Sequence, residues 1–197
     1  QAGRFEGGRD RVALLDTHRR FGGMAASGLS KSDVEKRQYI GGLFVDFVSR
    51  VRKRYAAKYG EESDAFRLCY DGYYYEPSVA EAVFGDMMAE HPSLRTFPAH
   101  RLLSAHRDGV RLTAIDALDM ESGSERRFEA AVFVDATYEG DLYAAAGAAF
   151  FLGREARDDH DESLAGHIYY DYENGVRMAE SAGAGDDRLA AWTYRLC

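Results

Sequence analysis

The sequence predicts an α/β fold, and three of its features lead to that prediction. Residues 11–16 (RVALLD) form a short apolar run that ends on an aspartate, which is typical of a buried strand. Segments with helical periodicity follow this run. The chain then changes to short apolar stretches separated by turn signals, which indicate strands. A strand, helices and further strands in this order make a mixed α/β domain.

Two helices are predicted after the first strand. Over Ile40–Tyr59 the apolar residues recur at intervals of three and four, which places them on one helix face. Gly60 then supplies the stop. The second helix is predicted over Val79–Glu90, where Ser78 and Glu81 have the spacing of a capping box.

The later part of the first 150 residues is predicted to be a three-stranded β-meander preceded by one short strand. Asp108-Gly109 is a strong hairpin signal, and Ser122-Gly123 marks the next turn. The last strand of the meander reads FEAAVFVD, and it ends on an aspartate as the first strand does. The predicted strands are Leu94–Phe97, Arg101–His106, Val110–Leu118 and Phe128–Asp135. Helices are predicted at Asp141–Ala146 and Asp187–Leu196.

Composition and charge limit the classes of function. The chain has 197 residues, and 25 Lys and Arg against 33 Asp and Glu give a net charge of −8. A nucleic-acid partner is not expected, because binding one needs a basic surface. No apolar run is long enough for a membrane span, and no spacing of side chains suggests a metal site. Two cysteines slightly favour a reducing, cytoplasmic compartment, and the oligomeric state is not indicated.

The aspartate at the end of the first strand has two interpretations. In a dinucleotide-binding βαβ unit, an acid at this place accepts hydrogen bonds from ribose hydroxyls. Elsewhere a strand-terminal aspartate forms a turn or caps a helix. The expected companion, a G-x-G-x-x-G loop about 20 residues earlier, would fall at or before Gln1, and the motif does not occur in the chain. Both interpretations of Asp16 therefore stay open.

Four segments taken together resemble the FAD-dependent oxidoreductases. They read VALLDTHRRFGGMAASGLS, YIGGLFVDFVSRVRKRY, YEPSVAEAVFGDMMAE and VFVDATYEGDLYAAAGAAFFLGREARDDHDESLAG. The family lies in the glutathione-reductase-like flavoprotein superfamily, near the fumarate reductase flavoprotein subunits, and the resemblance covers roughly residues 8–170. It implies a Rossmann-like FAD-binding domain with an inserted helical segment and the β-meander. It also implies that the chain is a piece of a longer protein, without the N-terminal glycine loop.

The resemblance implies FAD as cofactor and a binding site built from three stretches of the chain. Asp16 would contact the adenosine ribose, and Arg19 and Arg20 would reach the ribose or a phosphate. Gly22, Gly23 and Met24, which with the residues up to Gly28 form the glycine loop of this chain, would pass under the flavin and pyrophosphate, where a side chain would block the close approach. The meander would contact adenine and return to the cofactor. The implied cofactor-binding residues are Asp16, Arg19, Arg20, Gly22, Gly23, Met24, Gly28, Leu102, Ala136, Thr137, Gly140 and Asp141.

The implied function is hydride transfer from a small-molecule substrate to the flavin, with no catalytic residue identified. The aromatic tract Tyr70–Tyr75 suggests a polar or carbohydrate-like substrate, although a strand of alternately buried and exposed tyrosines is the favoured explanation. Residues 1–152 are expected to form a partial FAD-binding domain, and residues 153–197 the start of a substrate or cap region.

Two alternatives from other functional classes stay open. One is a non-catalytic flavoprotein-like domain that lacks the pyrophosphate loop and acts by association with another chain. The other is a methyltransferase that uses the Asp16 carboxylate on the ribose of S-adenosylmethionine. The meander and the DATYEGD segment have no place in a methyltransferase fold, which disfavours this second alternative.

Overall fold

The computed structural model describes the backbone of residues 3–6 and residues 11–189. The described residues fall into two compact units, one up to Ala146 and the other from Gly147. The first unit combines helices with two small sheets, and both sheets contain a pair of parallel strands. This mixture of helices and parallel strands confirms the α/β class.

The strands of the first unit include the predicted meander. They are β1 (Gly3–Glu6), β2 (Val12–Leu15), β3 (Leu94–Phe97), β4 (His100–Asp108), β5 (Arg111–Asp119) and β6 (Glu125–Glu129). One sheet has the order β1-β6-β5-β4, in which β4, β5 and β6 are antiparallel and β1 runs parallel to β6. The other sheet is the parallel pair of β2 and β3.

The helices of the first unit lie close to their predicted positions. They are α1 (Leu43–Tyr59), α2 (Asp64–Leu68), α3 (Pro77–Ala89) and α4 (Asp141–Ala145). The start predicted for α1 at Ile40 is wrong, because Ile40 is extended and Gly42, with φ of 63°, interrupts the helical backbone. The predicted capping box of α3 is also absent. Pro77 occupies the first turn of α3 instead, where its fixed φ suits a helix start.

The largest core of the first unit lies between α1, α3 and the tyrosine tract. Its buried residues are Phe47, Val48, Val51, Tyr55, Cys69, Tyr73, Tyr75, Ala80 and Val83. The predicted strand over Tyr70–Tyr75 is wrong, because Tyr70–Gly72 is a 3₁₀ turn that folds the tract onto α1. Gly72 permits this fold, since a Cβ there would collide with the Val48 carbonyl group of α1.

A second core joins the two sheets of the first unit. Phe97 of β3, Ala117 of β5 and Phe128 of β6 are buried together. The rings of Phe97 and Phe128 meet edge to face, with their centroids 4.9 Å apart, which is a favourable aromatic arrangement. Ala13 and Leu15 of β2 pack against the same cluster, so the short parallel sheet rests on the meander.

The last predicted strand, Phe128–Asp135, is only partly correct. β6 ends at Glu129, which forms the last described pair with the parallel strand β1, Glu6–Glu129. Beyond that point no strand is present among residues 130–139, and Val134 is 79% exposed. The apolar side chains that follow Glu129 therefore do not by themselves continue the strand.

The second unit contains little regular structure. Its elements are α5 (Arg157–His160), β7 (Tyr170–Asp171) and β8 (Val176–Arg177), and the two strands form a small antiparallel hairpin. Of the helix predicted over Asp187–Leu196, residues 187–189 are not helical, and the remainder lies outside the described residues. Among the helices that the structure describes, none has the length and apolar character needed to cross a membrane.

Candidate functional site

The backbone of Asp16 is held where β2, β3 and β4 come together. Its N–H donates to the carbonyl of Phe97 at the end of β3 (3.1 Å), and its carbonyl accepts the N–H of His100 at the start of β4 (2.8 Å). The acid therefore stands at the carboxyl end of a parallel strand pair. Ligands of open α/β sheets bind at this end of the strands.

The carboxylate of Asp16 uses only one of its oxygens within the described part of the chain. Oδ1 accepts the backbone N–H of His18 (2.8 Å) and lies 3.2 Å from its ring Nδ1. Oδ2 has no hydrogen-bond partner among the described residues, and the side chain is 24% exposed. Among the described residues, Asp16 thus forms a turn through one oxygen and leaves the other without a hydrogen-bond partner.

The two arginines that follow Asp16 form exposed ion pairs. Nε of Arg19 lies 2.9 Å from Glu121, and Nη1 of Arg20 lies 3.5 Å from Glu81. Exposed pairs of this kind contribute little to stability, because water screens the charges. Both guanidinium groups are therefore available to an anionic ligand at small cost.

The glycine loop has the close contacts that its sequence predicted, but the partners are side chains of the same chain. Gly22 and Gly23 have positive φ angles of 114° and 52°. A Cβ on Gly22 would lie 2.5 Å from the ring of Phe84 in α3, and one on Gly23 would collide with the hydroxyl of Tyr138. The loop continues into a short π-helical segment, Ala25–Leu29, in which Gly28 with φ of 152° interrupts the helical backbone. Glycine is needed here for the packing of the protein itself.

Tyr138 joins the glycine loop to the segment after the meander. Its hydroxyl oxygen accepts the backbone N–H of Met24 at 2.7 Å. This residue was not predicted from the sequence, although it lies inside the DATYEGD segment. An aromatic side chain with a polar tip within a glycine-containing motif is the only sequence signal that could have drawn attention to it.

Asp135 organises the turn on which Tyr138 stands. Its Oδ1 accepts the N–H and hydroxyl of Thr137 (2.9 and 2.7 Å), and its Oδ2 accepts the N–H groups of Leu142 and Tyr143 (2.9 and 3.0 Å). Burial alone would raise the pKa of Asp135, but these hydrogen bonds outweigh it and hold that pKa below its ordinary range. Both carboxylate oxygens are therefore occupied.

The remaining implied residues lie in different surroundings. Ala136 and Thr137 are exposed, and the Thr137 hydroxyl accepts the N–H groups of Gly140 and Asp141 (2.8 and 3.0 Å). Gly140, with φ of 76°, packs against the ring of Tyr143.

Leu102 and Gly28 lie apart from these contacts. Leu102 is partly buried on β4, two residues after the His100 amide that holds Asp16. Gly28 faces open space, with nothing within 4 Å of where a Cβ would stand. Among the implied residues, the structure places Asp16 next to β4, the strand that carries Leu102. It places Gly23 and Met24 against Tyr138.

Two surface depressions of the first unit lie away from these residues. One, of about 470 Å³, is lined by Arg11, Pro92, Ser93 and Arg95 at the amino-terminal ends of β2 and β3, opposite Asp16. The other, of about 440 Å³, is lined by residues between Lys31 and Arg37 and by Tyr74. Neither contains an implied cofactor-binding residue. Within the described residues, no group of three His, Cys, Asp or Glu side chains could hold a metal ion.

A polar cluster on the meander has the composition of a hydrolase triad but not its geometry. The hydroxyl of Ser104 and the carboxylate of Asp116 both contact Nε2 of His106, at 3.3 and 2.6 Å. A triad needs them on opposite ring nitrogens. Arg127 binds Asp116 through two nitrogens and, as the main cause, holds the pKa of Asp116 well below its usual range. The cluster therefore links the three strands of the meander.

The carboxyl end of β2 fits the adenosine half of FAD. Oδ2 of Asp16 is an acceptor without a partner in the described part of the chain, and it stands where a parallel strand meets a ribose hydroxyl. The glycine loop leaves less room for the rest of the cofactor, because Phe84 and Tyr138 fill the space beside the α-carbons of Gly22 and Gly23.

The chain matches a family model but no curated protein. The family model described as FAD dependent oxidoreductase matches residues 6–197, which is nearly the whole chain. The chain therefore belongs to the FAD-dependent oxidoreductase family, whose cofactor is FAD.

Proposed function

We propose that this protein is an enzyme that uses FAD to oxidise a small polar substrate. Membership of the family supports the redox role and the cofactor. In this chain itself, the supporting observation is that Oδ2 of Asp16 has no hydrogen-bond partner among the described residues. When bound, the flavin supplies the hydride chemistry, while the protein binds and orients the reactants.

Asp16 is the proposed acceptor for the adenosine ribose. The N–H of His18 fixes Oδ1, so the carboxylate is already oriented before a ligand arrives. Oδ2 then accepts a ribose hydroxyl without breaking a bond within the described residues. A hydrogen bond to a charged group contributes about 1.5–3 kcal/mol, so this single contact is worth roughly a tenfold to hundredfold change in affinity.

The other implied residues extend the proposed site away from Asp16. Arg19 and Arg20 would exchange their exposed glutamates for a phosphate or a ribose hydroxyl, which costs little. Leu102 would offer its backbone to adenine. The loop of Gly22, Gly23, Met24 and Gly28 would lie beside the pyrophosphate and flavin, with Ala136, Thr137, Gly140 and Asp141 on the returning segment.

The nature of the substrate stays general in this proposal. The tract that suggested a carbohydrate gives it little support. Tyr73 and Tyr75 are only 7% and 6% exposed in the core, and the exposed ring of Tyr70 already packs against Tyr74, with the centroids 4.7 Å apart. A buried ring offers no face for stacking on a sugar. We propose that residues 1–152 contribute to the cofactor domain and that residues 153–197 begin a region that meets the substrate.

A comparison of FAD with FMN tests the proposed function. FMN carries the flavin and one phosphate but no adenosine ribose, so it cannot use the Asp16 carboxylate. We expect FAD to bind at least about tenfold more tightly than FMN, as measured by quenching of flavin fluorescence. We also expect the flavin of the FAD-loaded protein to lose its yellow colour when an oxidisable small polar substrate is added without oxygen.

Two results would contradict this proposal in different ways. Equal binding of FAD and FMN, or binding of neither, would remove the nucleotide site. Tight binding of FAD that dithionite reduces, but that no small polar donor reduces, would favour the non-catalytic domain that acts by association.

A further inference from the structure

We propose that Tyr138 is a positioning residue that locks the glycine loop to the segment after the meander, and that this lock is needed for full FAD affinity. The lock is the contact of the Tyr138 hydroxyl with Gly23 and Met24. The inference rests on the proposed function, because it concerns the same cofactor site. It adds a residue that the implied cofactor-binding set does not contain.

The lock joins two segments that are far apart in the sequence. The Tyr138 hydroxyl accepts the N–H of Met24 at 2.7 Å, across 114 positions of the chain. The same oxygen stands where a Cβ on residue 23 would be, so it also fits against the α-carbon of Gly23. One atom therefore contacts both the backbone donor and the backbone surface of the loop.

The ring of Tyr138 is not held in place by burial, since the residue is 58% exposed. The turn below it is held by polar contacts instead. Thr137, the preceding residue, donates twice to Asp135, and its hydroxyl in turn accepts the N–H of Gly140 at 2.8 Å. Because the backbone on both sides of Tyr138 is fixed, the hydroxyl is aimed at Met24 rather than left to move with an exposed ring.

The backbone of the glycine loop is held at Gly23 from within the loop, where the Ser27 hydroxyl donates to the Gly23 carbonyl at 2.7 Å, and from outside it by Tyr138. Glycine loses more conformational freedom on folding than any other residue, and both glycines of the loop have positive φ. Phe84 of α3 packs on the Gly22 side, and Tyr138 packs on the Gly23 side. Without the hydroxyl, the Met24 amide would lose this partner, and the loop would lose its hydrogen bond to the segment after the meander. Preorganised loops bind ligands more tightly, since less ordering is required on binding.

Removal of the single oxygen tests the lock. Tyr138→Phe keeps the ring, and Tyr172→Phe is the matched control, because Tyr172 is 88% exposed and lies outside the candidate site. We expect Tyr138→Phe to weaken FAD binding about threefold to tenfold, to change the visible circular dichroism of the bound flavin, and to speed amide exchange over residues 22–27. We expect Tyr172→Phe to match the wild type. Unchanged or tighter FAD binding by folded Tyr138→Phe would overturn the proposal.

A second variant tests whether Gly23 and the Tyr138 hydroxyl act together. Gly23→Ala places a methyl group against the Tyr138 hydroxyl, so we expect weaker FAD binding. In the Tyr138→Phe background the same substitution should weaken FAD binding less, because the hydroxyl oxygen that opposes the methyl group is gone. Strictly additive effects of the two substitutions on FAD affinity would overturn the proposal, since contacting residues are expected to couple.

The failure of the lock can be told apart from the failure of the proposed function. If the wild type itself binds no FAD, the proposed function fails, and the coupling of Gly23 with Tyr138 in urea unfolding still tests the contact. If Tyr138→Phe does not fold, amide exchange of the wild type decides. We expect FAD to protect residues 22–27 and 136–141 together, and protection of only one of these segments would overturn the proposal.

Discussion

Asp16 and Asp135 end two apolar runs that are alike in sequence, RVALLD and FEAAVFVD, but their carboxylates are bound differently. Asp135 accepts four hydrogen bonds from its own turn and from the start of α4. Asp16 accepts the N–H of His18 and touches its ring, and its second oxygen has no partner in the described part of the chain. One carboxylate is saturated by the protein, and the other keeps capacity for a ligand.

The difference follows from where the strand ends relative to the acid. β2 runs up to Leu15, so Asp16 stands directly at the end of a parallel pair and projects beyond it. β6 ends at Glu129, six positions before Asp135, which leaves that acid in a turn. In this chain the acid that directly follows its strand lies at the edge of a sheet. The acid that lies beyond its strand caps a turn and the start of a helix through four hydrogen bonds.

The largest expected effect concerns the second apolar run, whose two halves differ in burial. Phe128→Ala should lower the free energy of unfolding by about 3–5 kcal/mol, because Phe128 is 3% exposed and fills the core between the sheets. Val134→Ser should change it by no more than about 0.5 kcal/mol, since Val134 is largely exposed. Urea unfolding measures both. A large loss for Val134→Ser would show that the strand continues past Glu129.

The next effect compares the two aspartates directly. Asp135→Ala removes a cap and leaves four donors without their acceptor, so we expect the free energy of unfolding to fall by about 2–3 kcal/mol. Asp16→Ala should lower it by about 1 kcal/mol or less, because among the described residues the carboxylate accepts a single backbone hydrogen bond. Urea unfolding of both variants without flavin is the measurement. Equal losses would remove the distinction between the two acids.

The smallest of these effects is a change in acid sensitivity. The pKa of Asp135 is held below its ordinary value of 3.8, so this carboxylate binds protons less readily in the folded protein than in the unfolded chain. Its contribution to stability is complete above pH 3.8 and is lost as the pH falls through the lowered pKa. Below about pH 4, wild-type stability should therefore fall more steeply with pH than that of Asp135→Asn. Parallel pH profiles of the two proteins would contradict this expectation.

Local sequence signals predicted those parts of the fold that depend on near neighbours. The strand Leu94–Phe97 and the hairpin after it are present as expected, because turn residues and apolar alternation act over a few positions. The predictions for the tyrosine tract and for the end of β6 were wrong, and the fold of the tract depends on a distant partner. The tract folds on α1 through Gly72, and β6 ends at Glu129 although apolar residues follow it.

In the candidate site, too, the sequence predicted the features that depend on near neighbours and missed a contact between distant residues. The apolar run before Asp16 indicated its place at the end of a strand, and the strand is there. The glycine pattern predicted a close approach at Gly22 and Gly23, and the approach is there too, but by Phe84 and Tyr138. The contact of Tyr138 with Met24 spans 114 positions, so no periodicity or local motif could show it.

The decisive measurement for the proposed site is the FAD affinity of Asp16→Asn, which keeps the shape of the side chain and removes its charge. Oδ2 of Asp16 is the proposed acceptor for the adenosine ribose, and the proposed function depends on it. We expect FAD to bind about tenfold to hundredfold more weakly than to the wild type, with FMN binding and the urea midpoint nearly unchanged. An FAD dissociation constant equal to that of the wild type would contradict this role of Asp16.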